Sequence, residues 1–391
     1  MERKIKKIAI IPLRKGSKSI INKNRKNLLG RPLFTWVLWE ALESKLDEVY
    51  VFTDDEYIEE YVKDEYNGKA KVIKRSYESA TDSASTELAL REFTQKINNS
   101  YDILCLIQAT SPLTTAQDIN KILDKIIVEG FDSALTIVEN KRFIWSKFGK
   151  PINYDYNNRP RRQEFEGLFV ENGAVYATTK NQFEKSGIRV GGNIGLIKMS
   201  EDTLIEIDEF ADWLVVEKLL EYRLKNNKKL GSKIKAIFFD VDGVFTSGRV
   251  FFGKSGESLK EFSVRDGMGL SLLRENSVEV FVITTENSEI VKSRMKKLKI
   301  ESYYLNIKDK YAKVEEILAN INMQRSEIAY IGDDINDLSN LLSAGWSFCP
   351  WDAVKEVKIA ADVILHSNGG KEAVREAINF VLQYNQRGVM Q

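Results

Sequence analysis

Short apolar runs alternate with amphipathic helical stretches along most of this chain. Runs such as KKIAIIPL, EVYVFTDD and DILCLIQATSP have the length and the apolar character of buried strands. Stretches with helical periodicity, such as PLFTWVLWEALES, lie between them, and the one that follows Thr115 begins with a capping box that Asp118 completes. Regular strand–helix alternation predicts a mostly parallel sheet covered on both faces, so we assign the chain to the α/β class.

The alternation is interrupted by the polar and basic stretch LKNNKKLGSKIK at 224–235. Gly231 and the polar composition of this stretch are typical of a linker, and a second alternating series, which includes VEVFVITT and EIAYIGDD, follows it. A chain of 391 residues is also long for a single core, because domains usually contain about 100–200 residues. We therefore predict two doubly wound α/β domains, residues 1–228 and 234–391.

Composition restricts the classes of partner and of chemistry. The formal net charge is +1, so no global field attracts nucleic acid or an anionic membrane, and no apolar run approaches the roughly 20 residues of a membrane span. Cys105 and Cys349 lie far apart in apolar stretches, which favours free thiols in a reducing cytoplasm. Because His366 is the one histidine, we expect catalysis to depend on carboxylates, lysine, arginine, hydroxyls and a bound metal.

A basic loop that contains glycine, IPLRKGSKSIINKN, follows the predicted first strand. Its cations and small residues are Arg14, Lys15, Gly16, Ser17, Lys18 and Lys23. Cations and free backbone N–H groups concentrated at the end of a strand are suited to a polyphosphate. The loop matches neither the GxxxxGK[ST] nor the GxGxxG pattern, and a solvated basic loop is the alternative interpretation.

This loop resembles the opening motif of the sugar-acid cytidylyltransferases, which reads roughly ARxGSKxxxxKN. The resemblance implies that an arginine, a serine and two lysines hold the triphosphate of CTP, with an asparagine beside the nucleotide. In this chain those residues are Arg14, Ser17, Lys18, Lys23 and Asn24. The chain departs from the motif at Lys15 and Ser19, where glycine is common in the family, but neither change removes a phosphate ligand.

The same resemblance continues through the predicted first domain. KRSYESATDSASTE is similar to the family segment near the nucleotide, which implies that position for Arg75, Asp82 and Thr86. LIQATSP is similar to the motif where the sugar acid is selected, which implies that role for Gln108. RPRRQEFEGLFVENGAVY closely resembles the CMP-sialic acid synthetases of vertebrates. In that family the segment belongs to a dimerisation arm that reaches toward the neighbour's site.

The arm segment is rich in arginine. Its arginines are Arg159, Arg161 and Arg162. The substrate of such an enzyme is a carboxylated sugar, so these side chains could clamp its carboxylate, and a solvated arm is the alternative. We expect Arg162 and its neighbour Gln163 to bind the substrate.

The acidic end of this domain, LIEIDEF, resembles a DxD motif whose carboxylates hold Mg²⁺ in the family. The corresponding residues here are Glu206 and Asp208, and the extra methylene of the glutamate moves its oxygen. The resemblance implies that the anomeric hydroxyl of the sugar acid attacks the α-phosphorus of CTP and releases pyrophosphate. Magnesium and the basic loop would neutralise the charge that develops.

The stretch FFDVDGVFTSG begins the second predicted domain with two carboxylates at the end of an apolar strand. If Asp240 attacks phosphorus, a second carboxylate on the same face of the strand end, Asp242, can protonate the leaving oxygen and later deprotonate water. Such chemistry also needs a divalent cation and a cation on the phosphoryl oxygens. The later motifs VITT, KDKYAK and YIGDDIND supply Thr284, Lys310, Asp333 and Asp337.

This succession of motifs resembles the haloacid dehalogenase (HAD) phosphatases and implies an HAD-like Rossmannoid fold for the second domain, beside a nucleotidyltransferase fold for the first. The resemblance makes Asp240 the nucleophile and Asp242 the general acid/base, and it places Thr284 and Lys310 on the transferred phosphoryl group. It assigns the metal to Asp240, Asp242 and Asp333, of which Asp333 is the main side-chain ligand. It leaves Asp337 to support Lys310 or the metal.

No cap-sized insertion separates the first two of these motifs, so the chain fits the capless group of HAD phosphatases. That group includes the 3-deoxy-octulosonate 8-phosphate and the nonulosonate 9-phosphate phosphatases, in which tetramer neighbours cover the site. In TTENSEIVKSRMKKLK, Glu286 with Arg294 and Lys297 resembles the nonulosonate branch, where such residues help to read the sugar acid. An ordinary surface ion pair is the alternative interpretation.

The leading hypothesis is a bifunctional cytoplasmic enzyme that requires Mg²⁺ and assembles as a homo-oligomer, most simply a tetramer. Its second domain would hydrolyse a nonulosonic acid 9-phosphate, and its first would transfer CMP from CTP to the free acid. Two alternatives stay open: an active cytidylyltransferase with a structural tetramerising C-terminal domain, and a fusion from a CMP-octulosonate pathway. The acid could be N-acetylneuraminate, its deaminated analogue KDN, or another nonulosonate. We expect no nucleic acid and no membrane among the partners.

Overall fold

The fold is described by a computed structural model that covers residues 4–226, 228, 232–254 and 256–387. Its strands are β1 (Lys7–Leu13), β2 (Asn27–Leu28), β3 (Arg31–Pro32), β4 (Glu48–Thr53), β5 (Ala70–Lys74), β6 (Ile103–Ile107), β7 (Ser133–Asn140), β8 (Leu168–Thr179), β9 (Ile194–Lys198), β10 (Ala236–Phe239), β11 (Phe251–Gly253), β12 (Gly256–Leu259), β13 (Glu279–Ile283), β14 (Tyr303–Tyr304), β15 (Ile328–Ile331), β16 (Trp346–Cys349) and β17 (Val363–Ile364). The predicted α/β class is confirmed.

The α-helices lie between the strands along most of the chain, although some strands follow one another without an α-helix between them. They are α1 (Leu33–Leu42), α2 (Glu56–Glu65), α3 (Tyr77–Ala80), α4 (Thr86–Lys96), α5 (Ala116–Ile127), α6 (Lys180–Ser186), α7 (Phe210–Asn226), α8 (Val264–Glu275), α9 (Glu289–Leu298), α10 (Lys310–Ile321), α11 (Leu338–Ser343), α12 (Lys355–Ala360) and α13 (Ala373–Arg387). The capping box predicted at Thr115 and Asp118 is confirmed at the start of α5. In the described ranges, every helix falls short of the length and apolar character that crossing a bilayer requires.

The chain divides into two compact units. Unit 1 comprises Met1–Lys26 and Pro32–Leu219, and unit 2 comprises Asn27–Arg31 and Leu220–Gln391. This division assigns a five-residue piece of the early chain to the second unit. The predicted linker between 228 and 234 falls mostly outside the described residues, so the boundaries 1–228 and 234–391 stay a prediction.

In unit 1 the described strands form a seven-stranded sheet in the order β5–β4–β1–β6–β8–β7–β9. The β5–β4–β1–β6 half is parallel, and β8 runs antiparallel to both of its neighbours. Side chains of β1, β4 and β6, such as Ile8, Phe52 and Leu104, pack in one apolar cluster with Phe93 of α4. Because β1, β4, β5 and β6 are parallel, the residues that follow them emerge at the same edge of the sheet.

In unit 2, six of the described strands form a parallel sheet in the order β14–β13–β10–β15–β16–β17. The central strand β10 is AIFF, and all four of its residues are buried, as expected for a strand covered on both faces. Phe239 of β10 pairs with Ile331 of β15, so the carboxyl ends of these two strands lie side by side. The antiparallel hairpin β11–β12 between β10 and α8 was not predicted.

Candidate active sites

A cavity of about 240 Å³ lies at the carboxyl edge of the unit 1 sheet. It gathers residues that directly follow three parallel strands, because Arg14 comes after β1, Arg75 after β5 and Gln108 after β6. The residues predicted from the cytidylyltransferase motifs that line it are Arg14, Ser17, Lys23, Asn24, Arg75, Asp82, Thr86 and Gln108. The structure therefore brings together side chains that are up to 94 positions apart in sequence, counted from Arg14 to Gln108 (108 − 14).

Asp82 holds the cations of the basic loop at the mouth of this cavity. The guanidinium of Arg14 donates a hydrogen bond to Asp82 Oδ1, and Lys18 Nζ lies 2.8 Å from Asp82 Oδ2. These contacts, that with Arg14 first, keep the pKa of Asp82 below its usual range, so Asp82 is ionised at neutral pH. An incoming polyphosphate would have to replace Asp82 as the partner of both cations.

Lys23 connects the basic loop to the acidic end of unit 1. Its Nζ donates to the backbone oxygen of Ile207 over 2.7 Å and lies 3.3 Å from Asp208 Oδ1. Asn24 supports the same loop, because its Nδ2 donates to the backbone oxygen of Arg14 over 3.2 Å. Asp208 itself is 75% exposed, so its carboxylate is open to a further ligand.

Glu206, the other predicted metal ligand of unit 1, lies deeper than Asp208. Burial raises the pKa of Glu206, and the nearby charge of Asp208 acts in the same direction. The carboxylate of Glu206 occupies the space beside Gly173, where an added Cβ would lie 2.0 Å from Glu206 Oε1. Two carboxylates that repel each other have the chemistry of a divalent cation site.

The arm residues lie elsewhere. Arg162 lines a different depression of unit 1, together with Lys141 and Lys198, and its Nη2 lies 3.5 Å from Glu201 Oε1. Gln163 is exposed. Neither residue lines the cavity that contains Arg14.

A second constellation forms where β10 and β15 end in unit 2. Lys310, the first residue of α10, is fully buried, and its Nζ lies 2.8 Å from Asp240 Oδ2 and 2.9 Å from Asp337 Oδ1. Asp309 caps α10 by accepting a hydrogen bond from the N–H of Ala312, which fixes the backbone from which the lysine projects. Burial opposes the charge of Lys310, but the carboxylates of Asp240 and Asp337 raise its pKa.

The carboxylates of Asp240, Asp333 and Asp337 lie near the single ammonium group of Lys310. Burial raises the pKa of Asp240, against the effect of Lys310. Burial also raises the pKa of Asp333 to about 8, and the charges of Asp240 and Asp337 add to the shift. One buried lysine cannot neutralise three carboxylates, and a divalent cation would supply the missing positive charge.

The arrangement fits such a cation. Asp240, Asp333 and Asp337 each offer an oxygen, and these oxygens lie within 4.8 Å of one another. Asp333 Oδ1 is buried and accepts no hydrogen bond from any described residue, whereas Asp337 accepts bonds from Lys310 and Tyr330. Asp333 therefore has an oxygen that is available to a metal ion, whereas Asp337 is used in hydrogen bonds with Lys310 and Tyr330.

Asp333 also explains the glycine of the FFDVDG motif. Gly243 has φ +83°, and an added Cβ would lie 1.9 Å from Asp333 Oδ2. A side chain at this position would both strain the backbone and displace the carboxylate.

Asp242 is not one of the three clustered carboxylates, and its two oxygens have other partners. Its Oδ1 accepts a hydrogen bond from Thr246 Oγ1 over 3.1 Å, and its Oδ2 lies 2.7 Å from Lys260 Nζ. The metal role predicted for Asp242 therefore stays a prediction. Lys260 was not identified from the sequence, because ESLKEF carries no motif that distinguishes this lysine from a surface one.

The remaining predicted residues lie around β13 and α9. Thr284 directly follows β13 and is buried, and its Oγ1 accepts a hydrogen bond from the N–H of Glu286 over 3.3 Å. Glu286 itself is exposed. Arg294 and Lys297 lie on α9 as predicted, but Arg294 donates to the backbone oxygen of Ser263 over 2.8 Å, and Lys297 is exposed.

Comparisons with known proteins agree with both resemblances. A family profile described as cytidylyltransferase matches residues 8–210, and one described as haloacid dehalogenase-like hydrolase matches residues 282–378. The 3-deoxy-D-manno-octulosonate 8-phosphate phosphatase of Haemophilus influenzae is 36% identical over 150 residues, which is 38% of this chain and 83% of that protein. The two inferred families and the nucleotidyltransferase-like and HAD-like folds are confirmed.

Two relatives match nearly the full length. The N-acylneuraminate cytidylyltransferase of Oncorhynchus mykiss is 34% identical over 387 residues, which is 96% of this chain and 88% of that protein. N-acylneuraminate cytidylyltransferase B of Danio rerio is 31% identical over 389 residues, which is 97% of this chain and 91% of that protein. The chain therefore belongs to the N-acylneuraminate cytidylyltransferase family and carries a haloacid dehalogenase-like hydrolase domain in its C-terminal part.

Proposed function

We propose that the chain is a bifunctional enzyme that first hydrolyses a nonulosonic acid 9-phosphate and then activates the free acid with CTP. The observation that carries the phosphatase half is the buried contact of Lys310 with Asp240, beside the uncommitted oxygen of Asp333. A domain that served only to assemble subunits would have no need to bury these charges, because buried ion pairs contribute little to stability. The product of the second domain would be the substrate of the first.

In the phosphatase half, Asp240 is the proposed nucleophile and Asp242 the proposed general acid/base. The Asp240 carboxylate attacks phosphorus while the ester P–O bond breaks, and Asp242 gives its proton to the leaving sugar oxygen. The ionised Asp242 then takes a proton from water, whose oxygen attacks the aspartyl phosphate. This second step releases inorganic phosphate and restores both carboxyl groups. Lys310 neutralises the nucleophile and the phosphoryl oxygens, and Thr284 can donate to the same oxygens.

Asp240 and Asp333 are the side chains that would hold Mg²⁺ in unit 2, with Asp242 as the third predicted ligand. When bound, the ion would offset the repulsion between these carboxylates and the phosphate. In unit 1 the corresponding ligands would be Glu206 and Asp208. Oxygen ligands of this kind favour Mg²⁺ over softer metals.

The transferase half uses the unit 1 cavity. Arg14, Lys18 and Lys23, with Ser17, would hold the triphosphate, and Asn24, Arg75, Asp82 and Thr86 would lie along the rest of CTP. Gln108 would contact the sugar acid, and Arg162 with Gln163 would reach its carboxylate from the arm. The anomeric hydroxyl attacks the α-phosphorus, and pyrophosphate leaves as the cations stabilise its charge.

Substrate and assembly complete the proposal. The acid is N-acetylneuraminate or KDN, and the enzyme acts in the cytoplasm as a homotetramer, an assembly that would cover a capless phosphatase site. The competing substrate is an octulosonate 8-phosphate, which is favoured by the 36% identity to the phosphatase of Haemophilus influenzae.

A panel of sugar-acid phosphates tests the proposal with the full-length chain. We expect kcat/KM for phosphate release to be at least about tenfold higher for a nonulosonate 9-phosphate than for an octulosonate 8-phosphate. Adding CTP should then yield the CMP-nonulosonate, and excess EDTA should stop both reactions. Preference for the octulosonate ester would favour the alternative pathway, and no phosphate release from any ester would leave unit 2 a structural domain.

Glu286 gives a sharper test of substrate recognition, because its exposed carboxylate lies two residues from Thr284 and could accept hydrogen bonds from sugar hydroxyls. We expect Glu286→Ala to lower kcat/KM on a nonulosonate 9-phosphate by tenfold or more, about 1.4 kcal/mol in transition-state stabilisation. Hydrolysis of a small generic phosphate ester should change little.

The matched control for Glu286 is Glu289→Ala, which removes an 83% exposed glutamate from the start of α9. This control should leave both rates unchanged, since exposed ion pairs contribute about 0–1 kcal/mol. Equal losses on the sugar ester and the generic ester in Glu286→Ala, or no loss on either, would rule out a specificity role and add weight to the octulosonate alternative.

A further inference from the structure

Each of the two reacting carboxylates of unit 2 has its own buried lysine. Lys310 contacts Asp240, the predicted nucleophile, and Lys260 Nζ lies 2.7 Å from Oδ2 of Asp242, the predicted general acid/base. The Lys260 side chain is 1% exposed, although it directly follows the exposed hairpin β11–β12. None of the motifs used to assign the phosphatase includes this lysine.

The surroundings of Lys260 keep it in one position. Its Nζ also lies 3.0 Å from Glu257 Oε1, and Glu257 in turn accepts a hydrogen bond from the hydroxyl of Ser288, which caps α9. Burial opposes the charge of Lys260, but the hydrogen bonds that its ammonium donates to Asp242 and Glu257 raise its pKa. The lysine thus connects the end of the hairpin, the start of α9 and the acid/base carboxylate.

Both oxygens of Asp242 are held by this arrangement. Thr246 donates to Oδ1 over 3.1 Å, and Lys260 binds Oδ2. Thr246 comes from the same turn as Asp242, four residues on, so it moves with that turn. Lys260 comes from a separate element, and it is therefore the contact that fixes the carboxylate relative to the rest of unit 2. Proton transfer to a leaving oxygen depends steeply on such placement.

We propose that Lys260 is a positioning residue for Asp242 and holds its carboxylate where it can deliver a proton to the leaving oxygen. The proposal rests on the proposed phosphatase activity of unit 2. Among the described residues, Lys260 Nζ contacts Asp242 and Glu257, whereas the predicted nucleophile Asp240 contacts Lys310, so the effect of Lys260 is exerted through Asp242. A buried cation that served stability alone would not need to bind the acid/base residue, and an apolar side chain would fill the same space at no cost in desolvation.

Esters with different leaving groups distinguish a loss of Asp242 positioning from a general loss of activity. The alcohol of a sugar phosphate needs a proton as it leaves, whereas 2,4-dinitrophenolate leaves without one. For Lys260→Met in the full-length chain, we expect kcat/KM on the sugar-acid phosphate to fall by about 30-fold or more and kcat/KM on 2,4-dinitrophenyl phosphate by less than about threefold. Asp242→Asn should show the same selectivity. The double variant Lys260→Met/Asp242→Asn should lose no more kcat/KM on the sugar-acid phosphate than Asp242→Asn alone.

Lys254→Met is the matched control, because Lys254 is an exposed lysine of the same hairpin, and it should change neither rate. Lys260→Arg, which can still donate to Asp242, should recover part of the sugar-phosphate rate. If Lys260→Met does not fold, as judged by circular dichroism, the ratio of the two rates in Lys260→Gln decides instead.

Equal losses on the two esters, or no loss on either, would overturn the positioning role. Absence of phosphate release from the unmodified chain would instead reject the proposed phosphatase itself, so the two failures can be told apart.

Discussion

Asp240→Asn is expected to abolish phosphate release and to leave CMP transfer intact. The amide cannot attack phosphorus. The substitution also removes the negative charge that lies 2.8 Å from the buried ammonium of Lys310. Loss of a nucleophile commonly costs about 10⁴–10⁶ in kcat. We therefore expect phosphate release from a nonulosonate 9-phosphate to fall by at least about 10⁴-fold, and CMP-sugar formation from the free acid to stay within about twofold, because the cavity with Arg14 belongs to the other unit.

Asp334→Asn provides the control for this experiment. Asp334 belongs to the same acidic motif as Asp333, but it is exposed and its side chain accepts a hydrogen bond from the N–H of the next residue. The same chemical change there should leave phosphate release nearly unchanged. Phosphate release by Asp240→Asn at the rate of the unmodified chain would show that Asp240 is not the nucleophile.

Residues that follow an apolar strand were the most predictable part of both candidate sites. Arg14 comes directly after β1 and Asp240 directly after β10, and the alternation of strands and helices is visible in the sequence itself. Because parallel strands end at one edge of a sheet, residues after different strands meet there without any local signal that they do so. Gln108, which the sequence assigned only by its resemblance to a cytidylyltransferase motif, lines the same cavity as Arg14 for this reason.

Contacts that depend on a second element were much less predictable. Lys260 lies at the end of a short hairpin, where neither strand has the alternating apolar pattern of a core strand, yet it folds inward onto Asp242. The resemblance to the nonulosonate branch likewise grouped Arg294 with Glu286, but it gave no sign that Arg294 would donate to the backbone oxygen of Ser263. Periodicity specifies the face of a helix but does not specify what that face meets.

Two acidic residues of one motif differ in their hydrogen bonds. Asp333 and Asp337 both belong to YIGDDIND. Asp337 is committed to Lys310 and Tyr330, and Asp333 retains an oxygen without a hydrogen bond from the described residues. The resemblance to HAD phosphatases implied this division of roles, and the hydrogen bonds give a physical reason for it.

Arg14→Ala is expected to have the opposite selectivity to Asp240→Asn. Arg14 lines the unit 1 cavity and would stabilise the triphosphate as pyrophosphate leaves. We expect CMP transfer, measured as CMP-sugar formed at saturating sugar acid, to fall by about 10²–10³-fold. Phosphate release by unit 2 should be unchanged. Arg91→Ala, on the exposed face of α4, is the control and should affect neither activity.

The pairing of Arg14 with Asp82 makes this prediction specific. The contact with Arg14 lowers the pKa of Asp82, with Lys18 adding to the effect, so Asp82 is an anion at neutral pH. Arg14→Ala would therefore remove a cation and also leave a carboxylate that repels the triphosphate. We expect the double variant Arg14→Ala/Asp82→Asn to recover about tenfold of the lost rate, because the two side chains share one interaction. If the fold-loss of CMP transfer in the double variant instead equalled the product of the fold-losses in the two single variants, Arg14 and Asp82 would act independently. The charge of the basic loop would then not be neutralised through Asp82.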